Sequence, residues 1–142
     1  MNEPFDLLLA GGTCMTPGGA VAADIGVRAG RIAAIGALAG MATSETIDCR
    51  GLHLLPGVID TQVHFREPGM EHKEDIGTGT ASAAMGGVTA VFEMPNTRPP
   101  TIGAVDLADK CQRAKGRAWV DMAFYIGATP ENAHSLTQLE HL

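Results

Sequence analysis

The sequence predicts an α/β fold in which a parallel sheet follows a group of short strands. Before Pro56, short apolar segments are separated by glycine-bearing turns, and after it strand-like segments alternate with helix-like ones. Repeating strand–helix units imply a parallel sheet, either open or closed into a barrel. A complete barrel of eight units needs about 250 residues. The 142 residues are therefore either a small open α/β domain or the first part of a barrel.

Residues 1–55 form the first predicted region, which consists of short strands. The strands are expected at residues 5–10, 24–28, 31–35, 46–48 and 52–55. Turns are expected at Gly11-Gly12 and at Ala29-Gly30. Short strands separated by glycine turns favour a small antiparallel sheet or part of a β-sandwich. Such a sheet has too little surface to be stable alone, so we expect it to pack on another element.

Residues 56–142 form the second predicted region, which contains three βα units. The predicted strands are 58–65, expected to be buried, then 88–94 and 119–126. The predicted helices are 74–85, closed by Gly86-Gly87, then 101–115, capped by Thr101, and one that opens at Thr129-Pro130. The basic residues Lys110, Arg113, Lys115 and Arg117 are expected to form a solvated helix end that complements the helix dipole.

The composition excludes several classes of protein. The net charge of -6, with no block of basic residues, argues against nucleic-acid binding, which requires a basic patch. No apolar run reaches the roughly 18 residues of a membrane span, and the first residues lack the basic region of a signal peptide. The three cysteines are odd in number and far apart. They indicate reduced thiols and a cytoplasmic protein.

Polar residues at two neighbouring strand ends form the candidate site. Alternation along a strand places Gln62, His64 and Arg66 on one side. A histidine there suits a divalent metal, with zinc first, although a lone histidine is more often structural. The guanidinium of Arg66 suits a carboxylate, and Asn96 in the next loop offers both a donor and an acceptor. Two such loops at adjacent strand ends favour a shared site.

Five motifs then carry a resemblance to a known family. They are Pro-Gly-Val-Ile-Asp-Thr-Gln-Val-His-Phe-Arg-Glu-Pro-Gly (56–69), His-Lys-Glu (72–74), Gly-Thr-Gly-Thr (77–80), Gly-Gly-Val-Thr (86–89) and Met-Pro-Asn-Thr (94–97). Their order and spacing resemble those of dihydroorotases, and the resemblance covers nearly the whole chain. Arg-Glu-Pro-Gly together with Met-Pro-Asn-Thr distinguishes dihydroorotases from hydantoinases and dihydropyrimidinases. Allantoinases share Glu-Pro-Gly but usually lack this Arg and this Asn.

The resemblance implies a fold, an activity and roles for residues. The fold is the first part of a (β/α)8 TIM-type barrel, preceded by strands of a small composite β-sandwich. The activity is zinc-dependent, reversible hydrolysis of dihydroorotate to N-carbamoyl-aspartate in pyrimidine biosynthesis. His64 and Gln62 take the metal positions, and His64, Arg66 and Asn96 contact the substrate. The family's bridging Lys, two further His ligands and general-base Asp come from later strands, so we expect the 142 residues alone to be inactive.

One departure from the family pattern leaves alternatives open. The first histidine of the family's metal pair is Gln62 here, and an amide oxygen is a weak zinc ligand beside imidazole. The alternatives are an allantoinase- or hydantoinase-type cyclic amidohydrolase, and a non-catalytic dihydroorotase-like subunit that partners aspartate transcarbamoylase. A homodimer is a further expectation that the resemblance raises.

Overall fold

The computed structural model describes residues 3–136. The chain divides into two compact units, Met1–Pro56 and Gly57–Leu142. Each unit has its own sheet, and the strands and helices of each follow from a different local pattern. The first unit is built from strands joined by turns, and the second alternates strands with helices.

The first unit contains one five-stranded sheet. Its strands are β1 (Phe5–Thr16), β2 (Gly19–Arg28), β3 (Arg31–Gly36), β4 (Thr43–Asp48) and β5 (His53–Leu54). The order is β3-β2-β1-β4, and β5 also pairs with β1. The predicted antiparallel sheet is wrong in part, because β4 and β5 run parallel to β1 while β1–β2 and β2–β3 are antiparallel. After β3 the chain crosses to the far edge of β1, so β4 enters in the direction of β1.

The glycine pair in β1 marks a bulge rather than the predicted turn. β1 runs through Gly11 and Gly12, and its register with β2 shifts between Leu9 and Gly12. Gly11 takes φ +75°, and its N–H donates to Asp24 Oδ1 at 2.7 Å. An extra residue with positive φ is what a glycine bulge accommodates. The second predicted turn is confirmed, since Ala29 and Gly30 have φ values of 51° and 71° between β2 and β3.

The second unit is a parallel α/β unit, as the alternating pattern predicts. Its sheet has three strands, β6 (Val58–Val63), β7 (Val88–Glu93) and β8 (Asp121–Phe124), in that order. The helix α1 (Ile76–Met85) joins β6 to β7, and α2 (Ala104–Ala114) joins β7 to β8. Asp75 caps α1 in a reciprocal capping box with Thr78, which is a strong start signal for a helix.

Several predicted boundaries differ from the structure. Helix α2 begins after Gly103, and Thr101 is not its cap but a side chain buried to 1% exposure. Strand β6 ends at Val63 and is largely exposed, because it is an edge strand in the part of the chain that the structure describes. Residues 129–136 form turns rather than the predicted α-helix, although Thr129 and Asn132 exchange the two hydrogen bonds of a capping box and the Ala133 N–H donates to Thr129 O at 3.0 Å. Residues beyond 136 lie outside the described range.

The core of the second unit lies between α1 and the sheet. Ile76, Val91 and Phe65 are almost fully buried. Gly79 of α1 permits this packing, because a Cβ there would lie 2.5 Å from the Phe65 ring. Thr80 donates to Ile76 O at 2.6 Å and accepts the Trp119 N–H at 3.2 Å, so one buried hydroxyl joins α1 to the segment before β8. Within residues 3–136, no helix is long and apolar enough to cross a membrane.

Candidate active site at the strand ends

His64 and Asn96 meet at the carboxyl ends of two adjacent parallel strands. The His64 Nδ1 and Asn96 Oδ1 atoms lie 2.8 Å apart. Because an amide oxygen only accepts hydrogen bonds, Nδ1 carries the proton in the neutral ring and Nε2 keeps a free lone pair. The two predicted loops therefore do come together, through this hydrogen bond.

Gln62 lies on a bulged part of β6. The pairing with β7 shifts between Asp60 and Val63, and the Gln62 N–H donates to Asp60 Oδ1 at 3.0 Å. The Gln62 side chain is exposed. The prediction that Gln62 and His64 lie on one side assumes regular alternation along the strand, and the bulge interrupts that alternation. Bulges commonly change the direction of side chains near active sites.

These residues fit a metal ion only in part. A metal-bound imidazole generally has its second nitrogen held by a hydrogen bond, as His64 has. Gln62 can add an amide oxygen, a weaker ligand for zinc-like metals than imidazole. Within residues 3–136, no group of three or more His, Cys, Asp or Glu side chains is placed to share an ion. The described residues therefore supply two candidate ligands, one good and one weak, and no complete metal-binding group.

Arg66 follows in a left-handed backbone conformation. Its φ is +67°, which is uncommon for a residue other than glycine. Its neighbours Phe65 and Glu67 are 6% and 3% exposed, while His64 and Arg66 are half-buried. Burial therefore continues to alternate beyond the end of β6. Phe65 and Glu67 face the interior, and His64 and Arg66 face the opposite side. Within residues 3–136, no hydrogen bond or ion pair engages the Arg66 guanidinium, so its five donors are available to a ligand.

The Glu-Pro-Gly segment joins the loop after β6 to the loop after β7. Pro68 O accepts the Arg98 N–H at 3.0 Å. Gly69 takes φ +92°, and a Cβ there would lie 2.0 Å from Arg98 O. Glycine is thus required twice, for the backbone angle and for the close approach.

Glu67 is buried and held by an arginine from beyond α2. Arg117 donates from Nη1 to Oε1 at 2.7 Å and from Nη2 to Oε2 at 3.1 Å, and the Ile76 N–H donates to Oε2 at 3.0 Å. Burial raises the pKa of the Glu67 carboxyl, but the hydrogen bonds from Arg117 and Ile76 and the nearby arginine charges outweigh it, so the pKa lies below its ordinary value. The carboxylate is therefore charged and fully engaged.

A second buried pair lies at the end of β7. Lys110 donates to Glu93 Oε2 and to Met94 O, the latter at 3.1 Å, and both charged side chains are 1% exposed. Burial raises the pKa of the Glu93 carboxyl, and the Lys110 ammonium opposes that shift. Because Met94 leads into the loop that carries Asn96, this pair supports the second half of the site.

The predicted solvated helix end is therefore wrong for Lys110, and two of the other members are partly exposed but paired with a buried carboxylate. Lys110 is buried, and Arg113 and Arg117 lie within 3.6 and 2.7 Å of Glu67. A signal was present in the sequence for two of them: positions 110 and 113 are three apart and share one face of α2, and Glu93 follows the apolar segment of β7. Lys115 is exposed as predicted, and Arg117 is exposed as well but is paired with Glu67.

Comparisons with known proteins show the family. The Dihydro-orotase-like family model matches residues 51–139. Allantoinases from Deinococcus radiodurans and Rubrobacter xylanophilus are 38% and 42% identical over 136 residues, which is 95% of this chain and 30% of each relative. The L-hydantoinase (dihydropyrimidinase) of Arthrobacter aurescens superposes with a TM-score of 0.90 at 33% identity, over 96% of this chain and 31% of that chain. A D-aminoacylase whose description names a binuclear metal centre gives 0.65 at 26%, over 87% and 30%.

The relatives' names bear on the expected subfamily. They are allantoinases and hydantoinases, so they support the cyclic amide hydrolases as a group and do not single out dihydroorotases. The chain spans about 30% of the length of these curated relatives. On the family model and these relatives, the chain belongs to the dihydro-orotase-like family of the amidohydrolase superfamily.

Proposed function

We propose that this chain forms the amino-terminal part of a metal-dependent cyclic amidohydrolase that opens a ring of the allantoin and hydantoin type. The observation that carries the proposal is the His64–Asn96 hydrogen bond of 2.8 Å, which joins two adjacent strand ends and leaves His64 Nε2 free. The allantoinase and hydantoinase relatives support this substrate class. The eight-unit barrel and its remaining strands belong to the same proposal, since the second unit supplies three parallel strands within the described residues.

The proposed roles follow from the donors and acceptors at the strand ends. A divalent metal, when bound, supplies Lewis-acid polarisation of a ring carbonyl and an activated water. His64 would hold that metal through Nε2, with Gln62 as the weaker neighbour. Asn96 accepts from His64 through its oxygen, so its amide N–H groups remain to donate to a ring oxygen. Arg66 would orient the ring with its fork of donors.

A second candidate substrate is dihydroorotate. The free guanidinium of Arg66, together with the Asn96 amide, is the specific observation that favours it, because a planar fork of donors matches a carboxylate. Allantoin and hydantoin carry no carboxylate. Arg66 would therefore form an ion pair with dihydroorotate but only neutral hydrogen bonds with an allantoin or hydantoin ring. We place the allantoin and hydantoin class first because the curated relatives carry those names.

The test is metal analysis and ring hydrolysis with the full-length protein. We expect bound divalent metal, hydrolysis of allantoin or hydantoin faster than of dihydroorotate or dihydrouracil, and loss of both metal and turnover in His64→Asn. His134→Asn is the matched control, because His134 is an exposed histidine in a turn outside the site. Dihydroorotate as the fastest substrate would select the second candidate. A protein with neither metal nor turnover would overturn the proposal and favour a non-catalytic subunit.

A further inference from the structure

Arg66 holds a backbone conformation that the surrounding structure must enforce. A non-glycine residue at φ +67° is strained and persists only where neighbouring contacts fix it. The contacts on its amino-terminal side come from Phe65, whose ring packs against Gly79. On its carboxyl side the fixed neighbour is Glu67, and Arg66 O accepts the Met70 N–H at 3.0 Å.

The Glu67 carboxylate is the stronger of these two anchors. Both of its oxygens accept charge-assisted or helix-terminal hydrogen bonds, from Arg117 and from Ile76. The paired contacts from Arg117 form a two-point fork, which fixes the plane of the carboxylate as well as its position. Arg113 lies 3.6 Å from Glu67, but its shorter contact is with Asp109 at 2.6 Å. Arg117 is thus the cation that orients Glu67.

We propose that Arg117 is a positioning residue that acts through Glu67 to fix Arg66 for the substrate. The proposal rests on the proposed function, in which Arg66 contacts the ring. Arg117 follows α2 and is 44% exposed at its side chain, and its contacts within residues 3–136 are with Glu67, Asp75 and its own helix end. Its influence on the substrate therefore passes through the Glu67–Arg66 segment of backbone.

The experiment is a double-mutant cycle in the full-length protein with the ring that the wild type hydrolyses fastest. We expect Arg117→Gln to raise KM by about 10- to 100-fold, as small misplacements of substrate-binding groups do. Arg66→Ala should raise KM at least as much, and adding Arg117→Gln to it should raise KM no further. Arg117→Lys keeps the positive charge but loses the planar fork, so it should give an intermediate KM. Lys115→Gln, which removes an exposed charge next to the same helix end, should match the wild type.

Each other outcome overturns the proposal in a recognisable way. A merely structural Arg117 would give Arg117→Gln a lower Tm and a lower kcat at an unchanged KM. Independent action would make the KM effects of Arg66→Ala and Arg117→Gln multiply. If Arg117→Gln does not fold, a wild-type KM in Arg117→Lys overturns the proposal by itself. A wild type that hydrolyses no ring overturns the proposed function together with this inference, whereas an active wild type with a normal KM in the variants overturns this inference alone.

Discussion

Replacing Lys110 by methionine should strongly destabilise the second unit around β7 and α2. The change removes the ammonium but leaves the Glu93 carboxylate, which is 1% exposed, buried without a counter-charge. Breaking a buried ion pair on one side costs about 3 to 5 kcal/mol, and the lost hydrogen bond to Met94 O adds about 1 kcal/mol. A whole domain is stable by only about 5 to 15 kcal/mol, so this single change removes a large part of the total.

Hydrogen exchange measures this loss locally in the full-length protein. Amides of β7 and α2 should exchange roughly 700- to 20,000-fold faster in Lys110→Met, since the two losses together come to about 4 to 6 kcal/mol and about 1.4 kcal/mol corresponds to a factor of ten. The double variant Glu93→Met, Lys110→Met should return close to the wild-type rate, because an apolar pair of similar volume replaces a buried ion pair at little cost. Lys115→Met serves as the exposed control. The reasoning fails if Lys110→Met exchanges within a few-fold of the wild type, or if the double variant is less stable than the single one.

Three further predictions concern residues that hold the loops and the helix around the candidate site. Gly69→Ala should destabilise more than Gly87→Ala: both add about 1 to 2 kcal/mol of left-handed strain, but only at Gly69 would the new Cβ meet backbone, 2.0 Å from Arg98 O. Equal shifts in Tm would contradict this. Thr80→Val should lower the free energy of unfolding in urea by about 1 kcal/mol, because it removes the acceptor of the part-buried Trp119 N–H, whereas Thr80→Ser should stay near the wild type. The pKa of Glu67 is lower in the folded protein than its ordinary value of 4.5. The charged carboxylate therefore contributes fully to the free energy of unfolding above pH 4.5, and this contribution is lost as the pH falls through the folded-state pKa. The Tm difference between the wild type and Glu67→Gln should therefore narrow on acidification, and a constant difference from pH 7 to 3 would refute it.

The order of strands and helices was predictable because the residues that begin and end each element lie within or next to it. The capped start of α1 at Asp75 and the glycines that end it lie within a few residues of the helix. Parallel pairing of β4 and β5 with β1 was not predictable in this way, because a strand's partner is chosen across the chain rather than within the segment. A Gly-Gly pair is compatible with both a turn and a bulge. In β1 the pairing with β2 determines that it forms a bulge.

The meeting of the two predicted loops was predictable from the sequence, but the ion pairs that support these loops were not. Strand ends brought His64 and Asn96 together, as the parallel order requires. The burial of Lys110 depends on Glu93, which lies 17 residues earlier in the chain, and that of Glu67 on Arg117, which lies 50 residues later. A long cationic side chain is exposed by default, and only a partner across the fold reverses that default. The left-handed angle at Arg66 is likewise set by its surroundings, since arginine has no local preference for it.

The positions of the Glu-Pro-Gly residues explain why the family motif identifies the fold better than the substrate. Glu67 binds Arg117 and the start of α1, Pro68 accepts from Arg98, and Gly69 permits the close approach of the two loops. All three residues hold the two loops and the start of α1 in place, and within residues 3–136 none of them forms a hydrogen bond with His64 or Asn96. Enzymes that open different rings can therefore keep the segment unchanged. Under the proposed function, discrimination between a neutral ring and a carboxylated one rests instead on the donors that Arg66 and Asn96 offer to the substrate. The substrate panel, rather than the motif, therefore decides between the two candidate reactions.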